Sequence, residues 1–75
     1  MSVGEKIKLL RKEKGLTQEA LSKRLLIARS TLACFETNKN QVSNDLLIEF
    51  AKIFNVTTDY LLGLEDEFGK KLNGY

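Results

Sequence analysis

Thr17-Gln18-Glu19-Ala20-Leu21-Ser22-Lys23-Arg24-Leu25, then Leu26-Ile27-Ala28, then Arg29-Ser30-Thr31-Leu32-Ala33-Cys34-Phe35 is the stretch on which the fold of this chain turns. Leu21, Leu25, Ile27, Leu32 and Phe35 recur at helical spacing and give each half one apolar side facing the other. Thr17 is suited to cap the first helix, because its hydroxyl accepts from the free amides of the opening turn. Leu26 to Ala28 form too short a joint for a parallel pairing. The second helix must therefore turn sharply across the first, with Arg29, Ser30 and Thr31 exposed at its start.

A chain of 75 residues builds one core and no more. With 43% hydrophobic and 29% charged residues it has a globular profile, and no apolar run approaches the roughly 20 residues of a membrane span. Met1-Ser2-Val3-Gly4-Glu5-Lys6 lacks the apolar segment of a secretion signal, and one cysteine makes no internal disulfide, so a cytoplasmic location is expected. The sequence has no histidine, glycine-rich phosphate loop or nucleophile beside a base, so no catalytic residue is assigned. One thiol and scattered carboxylates imply no metal, and no cofactor is implied either. The net charge of +2 says little, but its distribution says more. Nine basic and four acidic side chains fall in residues 1–41, against three basic and six acidic in 42–75. That asymmetry suits a protein presenting one face to a polyanion.

Outward from the central stretch, Val3, Ile7 and Leu10 predict a helix over about 3–14, closed by a left-handed Gly15. Lys6, Lys8, Lys12 and Lys14 on it are read mainly as a solvated face. The central helices are placed at about 18–25 and 29–36, with Asn38 in the left-handed position after the second. Ser43 caps a helix over about 44–54, whose buried stripe is read as Leu47, Ile48, Phe50, Ala51 and Phe54, ending at Asn55. Val56 points inward, Thr57 caps a short helix over about 58–62, and Gly63 stops it. In the tail, 64–75, acids precede lysines as a weak helix would have them. Phe68, Leu72 and Tyr75 are expected to cover a neighbouring helix or a second copy of the chain. The reading is thus an all-α fold of five helices, with a domain over 1–63 and a tail over 64–75.

Most of the chain, about Glu5 to Gly63, resembles the Cro and phage-repressor type of helix-turn-helix, the xenobiotic-response-element family. The resemblance rests on Gly15-Leu16-Thr17-Gln18-Glu19 at the second helix, Arg29-Ser30-Thr31-Leu32 at the third, and Phe35-Glu36 at its exit. Phe50-Ala51-Lys52, Asn55-Val56 and Asp59 before Leu61-Leu62-Gly63 continue it. The resemblance implies a lambda-repressor-like domain that binds double-stranded DNA, as a homodimeric repressor on a pseudo-palindromic operator. It implies base contacts from Arg29, Ser30, Ala33 and Cys34. It implies phosphate contacts from Gln18, Thr31, Lys39, Asn40 and Asn44, with Gln18 also bracing the recognition helix. Arg11 and Glu36 match a structural ion pair joining the first helix to the end of the third.

Three departures bear on that transfer. Leu26 stands where glycine is usual, so a left-handed backbone there costs about 1–2 kcal/mol unless the joint is reshaped. Ala28 replaces the usual serine cap of the recognition helix. Ala33 and Cys34 replace long polar readers, pointing to thymine methyl contacts or to DNA shape. The rival reading is a protein-interaction module of the same fold, antitoxin- or antirepressor-like, using apolar Leu26, Ile27, Ala33 and Cys34.

Overall fold

The computed structural model describes residues 1–64, and Phe68, Leu72 and Tyr75 lie outside the described residues. Five helices follow one another: α1 (Val3–Glu13), α2 (Gln18–Leu25), α3 (Arg29–Glu36), α4 (Asn44–Phe54) and α5 (Thr58–Leu62). No strand occurs among the described residues, and none of their helices is long and apolar enough to cross a membrane.

Each helix begins where a short polar side chain can take up an unpaired amide, with one exception. Thr17 accepts from the Ala20 amide at 3.0 Å, Ser43 from Leu46 at 3.3 Å and Thr57 from Tyr60 at 2.9 Å. Ser2 and Glu5 form a reciprocal capping box on α1, whose sequence signal is the Ser-x-x-Glu spacing. Ala28 caps α3 without any side-chain bond. Left-handed backbone closes the elements at Gly15, Leu26, Asn38, Asn55 and Gly63. Leu26 adopts φ 58°, so the joint keeps its tight geometry without glycine.

α1 runs through the centre, packing on α3, α4 and α5, while α2 packs on α3. Ile7, Leu21, Leu32, Phe50, Val56 and Leu61 are the most deeply buried side chains. Phe50 sits edge-on to Phe35 at 6.3 Å between ring centres and stacked on Phe54 at 6.0 Å, an arrangement that adds to their burial. At one end of the α1–α3 contact a Cβ on Gly4 would overlap the Phe35 and Glu36 carbonyl oxygens, so only glycine lets the backbones approach there. Asn38 locks the same end, accepting from the Gly4 amide at 3.2 Å and donating to the Ser2 hydroxyl at 2.9 Å.

Two sequence expectations are corrected. Ile48 is 46% exposed and not part of the buried stripe of α4. At 3.6 residues per turn it falls roughly 110° from the stripe's centre. Ile53, equally far off on the other flank, is half-buried against the core, so the neighbouring elements decide between them. Lys6 is 8% exposed and does not belong to the solvated face of α1. It lies three residues after Val3 and four before Leu10, on the inward side. Its ammonium donates to the Tyr60 carbonyl at 2.6 Å and lies 4.6 Å from the centre of the Tyr60 ring, which replaces the water it gives up.

Candidate nucleic-acid interface

The α2–α3 corner is built from both sides. From within, Leu21 and Leu32 are fully buried and Leu25 and Ile27 pack against the same core. Across its lower edge, Arg11 and Glu36 form a buried ion pair, Nε to Oε2 at 2.7 Å and Nη2 to Oε1 at 3.2 Å. The remaining Arg11 nitrogen, Nη1, donates to the Leu16 carbonyl at 2.8 Å, so the guanidinium also fastens the α1–α2 turn. Breaking such a pair by removing one partner costs about 3–5 kcal/mol, because the other charge is left buried alone.

From that pair a line of hydrogen bonds leads to the surface. Gln18, the first residue of α2, donates Nε2 to Glu36 Oε1 at 3.1 Å. Its Oε1 accepts from Arg29 Nη1 at 3.3 Å. The amide orientation follows from its neighbours, since a carboxylate only accepts and a guanidinium only donates. Arg29 and Gln18 thus stand together at the adjoining N-termini of α3 and α2. Nothing in the spacing of Gln18, Glu36 and Arg29 announces this line, which depends on three helix ends meeting in space.

The other residues singled out from the sequence divide by exposure. Arg29 and Ser30 are exposed at the start of α3, while Thr31, Ala33 and Cys34 are half-buried along it. Lys39 and Asn40 are exposed in the loop after α3, their amides bonded back to the Cys34 carbonyl at 2.9 and 3.4 Å. Asn44 is exposed as the first residue of α4. Asn40 and Asn44 both line a recess of about 550 Å³ beside Val42, Leu47 and the start of α1. Among the described residues no cluster of side chains suits a metal ion.

A helix-turn-helix family model matches residues 7–61, which span all of this architecture except the first turn of α1 and the last residue of α5. The chain belongs to the helix-turn-helix family. Among relatives of this helix-turn-helix chain is the HTH-type transcriptional regulator ImmR of Bacillus subtilis (strain 168), 37% identical over 71 residues that are 95% of this chain and 55% of ImmR. The HTH-type transcriptional activator BcrR of Enterococcus faecalis is 36% identical over 66 residues, 88% of this chain and 32% of BcrR. The chain spans about half the length of ImmR and a third of BcrR. In structure it is similar to the P22 c2 repressor protein, solved in complex with the synthetic operator 9T. That likeness has a TM-score of 0.80 at 25% identity and covers 87% of this chain and 98% of the other. It confirms an all-α, lambda-repressor-like helix-turn-helix domain with five helices.

Proposed function

We propose that this chain is a sequence-specific DNA-binding transcriptional regulator, a cytoplasmic repressor acting as a homodimer and carrying out no catalysis itself. The observation that carries the reading is the exposed start of α3, where Arg29 and Ser30 stand on a domain shaped like one solved on an operator. Residues 1–63 form the DNA-binding unit, and 64–75 follow it in the sequence as a tail. Arg29, Ser30, Ala33 and Cys34 face base edges in the major groove. Gln18, Thr31, Lys39, Asn40 and Asn44 meet phosphates, with the helix dipole at the start of α2 adding to the attraction. An arginine at such a position forms two parallel bonds to guanine O6 and N7, worth about 1–3 kcal/mol of discrimination. The two recognition helices of a dimer then fall in successive major grooves about 34–36 Å apart, which makes the target a pseudo-palindrome.

Selection from a random DNA pool, followed by binding measurements at several salt concentrations, tests this. Phosphate contacts supply affinity that falls steeply with salt, and base contacts supply choice of sequence. Arg29→Ala is expected to weaken operator binding more than binding to random DNA, whereas Lys39→Ala weakens both alike. Equal losses for Arg29→Ala would reduce Arg29 to a phosphate contact, and an unrepeated selected site would overturn the dimer. Leu26, at 92% exposure beside α3, favours a second reading in which the same face docks a protein. Failure to enrich any DNA from the pool, at low salt as well as moderate, would decide for it.

A further inference from the structure

Glu36 is tied down on one side by Arg11 and reaches the other way, through Gln18, to the residue proposed above to read a base. The consequence is directional. Glu36 offers only acceptors, so it takes the NH2 group of Gln18 and turns the amide oxygen outward. That oxygen takes Nη1 of Arg29. One corner of the Arg29 guanidinium is then occupied, and its Nε and Nη2 donors remain for a partner in front. Because Arg11 already neutralises Glu36, the Arg29 cation is not drawn back into a pair of its own with the carboxylate. Exposed arginine otherwise spreads over many rotamers, and a loosely held guanidinium serves as a point charge for any phosphate or base.

We propose that Glu36 is a positioning residue for base selection: acting through the Gln18 carboxamide, it holds the Arg29 guanidinium in one orientation and biases the domain toward guanine. This rests on the DNA-reading role proposed for Arg29. It adds that a buried residue which touches no DNA sets the preference, and that the polarity of the Gln18 amide transmits it.

Glu36→Gln tests the polarity. Arg11 is donor-only, so the amide oxygen keeps the shorter bond to its Nε, and the NH2 takes the place of Oε1, against Arg11 Nη2 as well as Gln18. The Gln18 amide must flip to accept, presenting NH2 to Arg29, where donor meets donor. Gln18→Met cuts the line while leaving the Arg11–Glu36 pair intact, so the test survives if Glu36→Gln does not fold. Two measurements are made on folded protein. In the first, the ratio of affinities for an operator with guanine, and with adenine, at the base pair read by Arg29 is expected to fall about tenfold in either variant. In an Arg29→Ala background neither substitution changes the ratio further. In the second, nitrogen-15 relaxation of the Arg29 Nε–H in the free protein is expected to show a rigid side chain in the parent and a mobile one in both variants. An unchanged ratio in a folded variant, or the same fall with Arg29 already removed, would overturn the proposal. So would an Arg29 side chain that is equally mobile in all three proteins. A parent that binds no DNA while the relaxation contrast persists would sink the DNA reading and the guanine bias with it, and leave the orienting role of Glu36 standing.

Discussion

The chain makes the same joint twice with opposite chemistry. At the end of α2, Leu26 turns left-handed (φ 58°, ψ 39°), the Ile27 amide bonds back to the Ser22 carbonyl at 3.0 Å, and Ala28 opens α3. At the end of α4, Asn55 turns left-handed (φ 56°, ψ 48°), the Val56 amide bonds back to Ala51 at 3.0 Å, and Thr57 opens α5. The backbones are interchangeable, but the side chains are not. Asparagine tolerates that conformation and threonine caps the helix that follows, so the α4–α5 joint agrees with its own residues. Leucine resists the conformation and alanine caps nothing, so the α2–α3 joint must be held from elsewhere. It is held by Leu21 and Leu32 packed beneath it and by the polar line from Arg11 through Glu36 to Gln18. Local preference and global packing agree at one joint and conflict at the other, and the conflict sits beside the face proposed to meet DNA.

That contrast breaks first at Glu36. If the α2–α3 joint depends on what lies under it, Glu36→Ala strands the Arg11 charge and is expected to cost about 3–5 kcal/mol in urea unfolding. A loss below that of any single change made at the joint itself would show that the corner stands without the pair. Reciprocal changes at the turn residues come next. Asn55→Leu is expected to destabilise and Leu26→Asn to stabilise, each by about 1 kcal/mol. In a domain of this length that is about 4–8 °C in Tm. Two shifts of the same sign would mean that neighbours, not backbone preference, set the strain. Caps follow at similar or smaller size: Thr57→Ala should lower stability and Ala28→Thr raise it, each by about 1 kcal/mol or less, read by calorimetry. No gain at residue 28 would indicate that the amides there are already satisfied.

The smallest effect belongs to the start of α1, where the cap is complete. The Ser2 backbone N–H, and after it the Ser2 hydroxyl, hold the exposed Glu5 carboxyl below its ordinary carboxylate range. A depressed folded-state value means the unfolded chain binds the proton more readily. The contribution is therefore full above the unfolded carboxylate range and is lost as pH falls through the lower folded value. Glu5→Gln should remove that acid-side slope from the stability profile and leave the rest unchanged; an identical slope in both proteins would assign it to other carboxylates.

The residues of the proposed interface could be picked out before any coordinates, because Arg29 and Ser30 open a helix just after a tight joint and cannot easily be covered. What they lean on came only through the resemblance, which implied the bracing by Gln18 and the Arg11–Glu36 pair but not the bond that joins them. Gln18 is 18 positions from Glu36 and 11 from Arg29, and no periodicity relates the three. Asn38 could be placed by its left-handed turn but not by its bonds to Ser2 and Gly4, which lie at the far end of the chain.

Taken alone, the amino-acid order determined where each helix starts and stops and the centre, though not the flanks, of the stripe that each turns inward. Those choices depend on hydroxyls, asparagines, glycines and apolar spacing within a turn or two of the residue concerned. Tertiary structure alone decided the fate of side chains whose partners are remote. Lys6 is buried because the Tyr60 carbonyl, 54 residues away, arrives to take its proton donors. Ile48 is exposed because no element among the described residues covers its flank of α4. Leu26 keeps a left-handed turn that its side chain disfavours because burial around it outweighs about 1–2 kcal/mol of local strain.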